Sequence, residues 1–208
     1  MCGFLGEFCF NDAKVTSEDS FKTLLELSKH RGPDASNTYR AETHQFGFNR
    51  LAILDLSPNG NQPKQTPSKR YNVVFNGEIY NYKDLAKQYD LKNLNSTSDT
   101  EVLIHLLDVL GVYETVKVLN GMFAIAIVDT DLNTLYLARD FAGIKPLFYG
   151  ISQQGVVMAS QFDQIYKHTW HKEHLVLRAD GVKDYFGFGY MQAPHTIYET
   201  IYLSLIHI

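Results

Sequence analysis

Met122-Phe123-Ala124-Ile125-Ala126-Ile127-Val128-Asp129, then Thr130 to Asn133, then Thr134-Leu135-Tyr136-Leu137-Ala138-Arg139, is the stretch on which the fold turns. Two short apolar runs, bounded by a polar four-residue connection, are predicted to form an antiparallel hairpin. Downstream, Pro146 to Ile151 and Val156 to Ser160 repeat the pattern, turning at Gln153-Gln154-Gly155. Upstream, Tyr71 to Phe75 reads as a buried strand that runs into Asn76-Gly77, a turn signal. Thr38 to Leu56 carries strand-like segments, and Gly3 to Phe10 reads as a strand that begins almost at the N-terminus. Helices fall between these groups. Thr16 to Lys29 has a stripe of Phe21, Leu24, Leu25 and Leu27, and Tyr80 to Gln88 reads as a short helix. Ser98-Asp99-Thr100-Glu101 fits a capping box opening a helix that buries Val102, Leu103, Leu106, Leu107 and Leu110 and ends at Gly111. Two stretches read as loops, His30 to Asp34 and the proline-rich Ser57 to Ser68. Paired strands with helices set between groups predict an α+β fold of stacked antiparallel sheets with helices outside, not a doubly wound parallel sheet.

Composition narrows the function. The chain has 208 residues, 45% apolar and 20% charged, with a net charge of -4. It has no basic footprint, so no nucleic-acid partner is expected. The longest apolar run, Met122 to Val128, is far too short for a bilayer, so no membrane partner is expected either. No secretion signal is read at the N-terminus, and Cys2 and Cys9 do not make a disulfide framework. A cytoplasmic enzyme is the expectation. The last six residues, 203–208 (Leu-Ser-Leu-Ile-His-Ile), read as a translated sequencing adapter. The natural sequence is therefore expected to stop near Tyr202, in an incomplete gene product.

A cysteine at position 2 is small enough for Met1 to be removed, which leaves an α-amine and a thiol on one residue. Such an amine titrates near pH 7.7–8 and can serve as general base for its own sulfur, directly or through a water. Alone, Cys2 reads more readily as a small buried residue. Its neighbours along the chain change that. Met1-Cys2-Gly3-Phe4, His30-Arg31-Gly32-Pro33-Asp34, Arg50-Leu51-Ala52-Ile53-Leu54-Asp55, Phe75-Asn76-Gly77-Glu78-Ile79-Tyr80-Asn81, Ser98-Asp99-Thr100-Glu101, Leu119-Asn120-Gly121-Met122-Phe123-Ala124 and Arg139-Asp140 with Gly143 and Lys145-Pro146-Leu147 follow in that order. Together, across essentially the whole chain to Tyr202, they resemble the class II glutamine amidotransferase domain of glutamine-hydrolysing asparagine synthetases.

The resemblance implies the N-terminal-nucleophile hydrolase fold, a four-layer αββα sandwich, over residues 2–187. It implies that residues 188–202 begin a linker to a missing C-terminal synthetase domain. It also implies a role for each matching residue. Cys2 attacks the carboxamide carbon of L-glutamine, while the Asn76 side-chain amide and the Gly77 backbone N–H form the oxyanion hole. Arg50 binds the substrate α-carboxylate, Asp99 with Glu78 binds its α-ammonium, and the backbone of Arg50, Leu51, Ile53 and Leu54 lines the pocket.

The chemistry asks for such a set, since an oxyanion needs preplaced donors and a zwitterion needs a fixed cation and a fixed anion. Each residue alone reads otherwise: Asn76-Gly77 as a hairpin turn, Asp99 as a helix-terminus acid, Arg50 as a salt-bridge arginine. Arg31 to Asp34 is expected to shape a loop over the pocket, its glycine and proline fixing backbone rather than supplying donors. His168, His171 and His174 match no clean ligand spacing, so no metal is expected. Phe141 and Ser160-Gln161 depart from the family pattern, which puts in doubt the interface with a partner domain and the exit of ammonia. No cofactor is expected in this chain itself, with ATP and Mg expected for the missing domain; a homodimer is left open. The leading expectation is ammonia release for ATP-dependent amidation of aspartate. The alternatives are an asparagine-synthetase-like enzyme acting on another carboxylate, in a surface-polysaccharide or peptide pathway, or a non-catalytic glutamine-sensing module.

Overall fold

The computed structural model describes residues 1–204. Strands β1 (Gly3–Cys9), β2 (Ala35–Arg40), β3 (His44–Arg50), β8 (Phe148–Ile151), β9 (Gly155–Ala159) and β10 (Ile201–Leu203) form one sheet, ordered β10-β8-β9-β1-β3-β2. Strands β4 (Lys64–Gln65), β5 (Tyr71–Ile79), β6 (Gly121–Asp129) and β7 (Thr134–Arg139) form the other, in chain order. Every pairing in both sheets is antiparallel. Helices α2 (Tyr82–Gln88) and α3 (Asp99–Val118) cover the four-stranded sheet, while α1 (Glu18–Glu26) and α4 (Phe162–Tyr166) cover the six-stranded one. A further helix, α5 (Ala179–Phe188), precedes β10. The result is the four-layer sandwich that the hairpin order predicts.

The two-residue period of a strand explains why β6 is apolar throughout. Phe123, Ile125 and Ile127 face α3, while Ala124, Ala126 and Val128 face the opposite sheet and meet Phe4, Phe46 and Phe48. Bulky residues on the helix side and small ones between the sheets let the aromatic side chains of β1 and β3 fill the central layer. No helix among the described residues is long and apolar enough to cross a membrane.

Several boundaries differ from the sequence reading. Helix α1 is shorter than Thr16 to Lys29, because Ser17 caps it and the chain tightens into a 3-10 turn at Lys29–Arg31. Ser98 caps α3 by accepting the Glu101 N–H at 3.2 Å. The box closes only on that side, since the Ser98 N–H goes to Ser96 Oγ and Glu101 turns to the Asn95 N–H and Lys64. Gly111 (φ 73°) breaks the helix, but the chain resumes helical geometry and runs on to Val118. The Ser57 to Ser68 loop contains β4 and carries buried Gln62 and Thr66, so part of it is interior. The segment read as a linker returns to the six-stranded sheet as β10. Leu203 and Ser204, assigned above to the adapter tail, are held there: Leu203 pairs with Phe148, and the Ser204 N–H donates to Leu147. The rest of that tail, residues 205–208, lies outside the described residues.

Asn76-Gly77 is not a turn. Strand β5 continues through both residues, Asn76 opposite Ala124 and Gly77 opposite Phe123, and the chain leaves the ladder only after Ile79.

Candidate active site

Cys2 enters from the N-terminal end of β1 and packs half-buried against the layer between the sheets. Its sulfur lies 3.3 Å from the Leu51 N–H, which donates to it, and 3.6 Å from the Leu51 carbonyl. Burial pushes the thiol upward from its ordinary value, against the opposing pull of the Leu51 N–H, the chain-terminal ammonium, Arg50 and Lys145. A thiol so placed stays protonated until a base takes the proton.

An open cleft beside it is lined by Cys2, Arg50, Leu51, Ile53, Leu54, Gly77, Glu78 and Asp99, among others. Every pocket residue expected from the sequence lines it except Asn76, whose side chain follows strand alternation to the same face as Val74, the inter-sheet layer.

Strand β5 supplies the donors through its edge. In an antiparallel ladder alternate residues turn their backbone groups away from one partner. Phe75 gives its N–H to Gln62 Oε1 at 2.7 Å, and Ile79 gives its N–H to Asp99 Oδ2 at 2.9 Å. Both point away from β6. Gly77, midway between, shares their parity, and its partner Phe123 spends its N–H on Asp140. The Gly77 N–H therefore points toward the cleft, where β4 no longer covers β5. A Cβ here would lie 2.2 Å from the Met122 carbonyl, so only glycine fits this crossing. Beside it, Asn76 Nδ2 is buried and has no hydrogen-bond partner among the described residues. A buried amide without a partner is rare and marks a group reserved for something else.

The cleft is charged at both ends. Arg50 is buried, its Nη1 donating to Ser57 O (2.7 Å) and Asn61 Oδ1 (2.9 Å) and its Nη2 to Asp55 O. These bonds fix the guanidinium plane and leave Nε and one Nη2 hydrogen. Opposite, Asp99 accepts the Ile79 and Thr100 N–H groups yet is pushed up to about 6, first by burial and then by the nearby Glu78 carboxylate. Ile53 and Leu54 lie exposed on the rim.

Two residues do more than the sequence reading allowed. Arg31 Nε donates to the Cys2 carbonyl at 3.0 Å, and Asp34 Oδ2 accepts the Ala52 N–H at 2.8 Å. The Arg31–Asp34 loop thus pins the nucleophile and the Arg50–Ala52 wall with side-chain bonds, which corrects the view that it acts through backbone alone. A charged residue at each end of the Gly32-Pro33 pair was the available signal. The suspected histidines belong elsewhere: His168 accepts the Trp170 N–H on Nδ1 and meets Glu7 Oε1 at 2.7 Å through Nε2. The departures from the pattern lie outside the cleft, with Phe141 exposed and Ser160 Oγ accepting the Phe4 N–H.

Residues 1–205 match the glutamine amidotransferase domain family. The chain belongs to the glutamine amidotransferase family. Among its relatives, the glutamine-hydrolysing asparagine synthetase 1 of Bacillus subtilis (strain 168) is 34% identical over 205 residues, covering 95% of this chain and 31% of that protein. The amidase chry2 of Gibberella zeae is 37% identical over 153 residues, 72% of this chain and 22% of that protein. This amidotransferase chain thus spans about a third or less of the length of these relatives. The glutamine phosphoribosylpyrophosphate amidotransferase of B. subtilis shares the fold, with a TM-score of 0.63 at 20% identity over 80% of this chain and 43% of that one.

Proposed function

We propose that this domain hydrolyses the side-chain amide of free L-glutamine to glutamate and ammonia, with Cys2 as nucleophile after removal of Met1. The freed α-amine takes the thiol proton, and the sulfur adds to the carboxamide carbon. Asn76 Nδ2 and the Gly77 N–H hold the oxyanion, worth about 10²- to 10³-fold in rate per donor in comparable sites. The protonated amine returns its proton to the leaving nitrogen, ammonia departs, and water cleaves the thioester to release glutamate and the thiol. Arg50 takes the α-carboxylate of the substrate, and Asp99 with Glu78 takes its α-ammonium. The observation that carries this reading is the buried, unpartnered Asn76 Nδ2 next to Gly77, which lines the cleft that holds the Cys2 sulfur.

The ammonia feeds a C-terminal synthetase domain that amidates aspartate, a reading supported by the name of the B. subtilis relative, a glutamine-hydrolysing asparagine synthetase. A different carboxylate acceptor is the second reading, favoured by the likeness to an amidase of another name.

Glutamate release by protein with a free N-terminal Cys2, compared with protein whose N-terminus is blocked by an extra residue, tests the mechanism. The free form should turn over and the blocked form should not. Equal turnover by both would remove the α-amine from the reaction.

A further inference from the structure

One charged residue near the nucleophile has no role so far. Lys145 is 5% exposed and lies in the loop joining β7 to β8. Among the described residues its ammonium makes no ion pair and no side-chain hydrogen bond. The acid that braces this loop, Asp140, is already engaged by the N–H groups of Phe123 (3.1 Å), Ile144 (2.9 Å) and Lys145 itself (3.0 Å). Arg139 locks the same loop by donating to the carbonyls of Lys145 (2.6 Å), Gly143 and Ser204.

The bracing places the charge. The Phe123 and Lys145 N–H groups share Asp140 Oδ2, and Phe123 stands opposite Gly77 on β5. Two residues further on, Leu147 joins the inter-sheet layer on which Cys2 packs. The loop is thus tied beside the Gly77–Phe123 crossing, and Gly77 lines the same cleft as Cys2. The other charges facing Cys2 are Arg50 from β3, Arg31 from the 3-10 turn and the chain-terminal ammonium. Arg50 is tied to the Ser57 and Asn61 wall and Arg31 Nε to the Cys2 carbonyl, whereas Lys145 Nζ has no ion pair or hydrogen bond among the described residues.

We propose that Lys145 is a positioning residue for the nucleophile: a fixed, unpaired ammonium whose field favours the Cys2 thiolate over the thiol. This rests on the glutaminase reading for its purpose, but the coupling itself can be measured without turnover.

The test follows iodoacetamide alkylation of Cys2 against pH, located by mass spectrometry, in the wild-type chain and in Lys145→Met and Lys145→Arg. In Lys145→Met the thiol should titrate about one unit higher and react about ten-fold more slowly at pH 7. Lys145→Arg should restore both, and kcat for glutamine should fall in Lys145→Met with KM unchanged. A merely structural lysine would move the unfolding temperature and not the titration. Replacing a buried charge by a similar-sized apolar chain should keep or raise that temperature. An unshifted thiol titration in Lys145→Met, or a higher KM with normal alkylation, would overturn the proposal. Loss of glutaminase activity in the wild-type chain alongside a shifted titration would instead count against the function and leave the coupling standing.

Discussion

Glutamine binding should become strongly pH-dependent below neutrality, and the cause is Asp99. Its carboxyl is pushed up to about 6 by burial and by Glu78, at the end of the cleft assigned to the substrate ammonium. Bound glutamine would place a cation there and draw the group back toward its ordinary value near 3.9. Free protein therefore holds a proton near pH 6 that the complex gives up. The linkage is direct: affinity falls by a factor of about 1 + 10^(6 − pH), so roughly two-fold at pH 6 and roughly ten-fold at pH 5 relative to pH 8. About half a proton should be released per glutamine bound at pH 6, and less than about 0.1 at pH 7. Calorimetric titration of a Cys2→Ala chain in buffers of different ionisation enthalpy reads both quantities without hydrolysis. The α-amine, titrating near 7.7–8, stays protonated across the lower window, and so does the substrate's own ammonium. Asp99→Asn should flatten the profile and weaken binding at pH 8. The sign for stability is the reverse of the usual acidic residue. Because the folded form binds the proton more tightly, Asp99 costs stability as pH rises from about 4 to 6, on the order of 3 kcal/mol by pH 7. An affinity constant between pH 5 and 8, with no proton released, would refute the placement of the ammonium at Asp99.

Two further outcomes are expected. Asn76→Ala should lower kcat about 100- to 1000-fold with little change in the KM for glutamine, since the amide engages charge that develops only after attack; stopped-time glutamate assays check it, and a rise in KM at constant kcat would contradict the role. His168→Leu should destabilise the fold by about 3–5 kcal/mol, by leaving buried Glu7 without the His168 ring that it meets at 2.7 Å. Burial works against ionising Glu7, but the bonds from His168 and Thr16 hold it below its ordinary value, so its contribution is present at neutral pH and fades as acid protonates it. Urea unfolding should accordingly show a deficit at pH 7 that shrinks toward pH 4, and a pH-independent deficit would point to packing instead.

What the sequence made legible is what short-range patterns encode. Alternation in Met122 to Arg139 and in the second hairpin specified strands, and strands without crossover helices specified antiparallel sheets. Ser98 showed the start of α3 because capping is local chemistry. What stayed hidden depends on contacts distant in the chain. Arg31 reaches Cys2 across 29 positions, and Gln62 clamps Phe75 from inside a segment that composition marks as a surface loop. The unneutralised state of Lys145 is likewise invisible, because it depends on Asp140 being engaged by three backbone groups.

The misreading of Asn76-Gly77 as a turn shows why this dipeptide can serve the chemistry. Turn residues are favoured where backbone must bend or come close, and a strand interior normally rejects them. Here β6 pairs with β5 on both sides of the dipeptide, so the ladder overrides the local preference. Held extended, the pair presents one donor to each side of the strand: the Asn76 amide on the inter-sheet face, the Gly77 N–H along the edge that β4 leaves open. A side chain at 77 would collide with the Met122 carbonyl, and an apolar residue at 76 would fill the face without supplying a donor. An oxyanion needs preplaced donors, and in the proposed reaction this pair would supply one from a side-chain amide and one from the backbone amide that follows it.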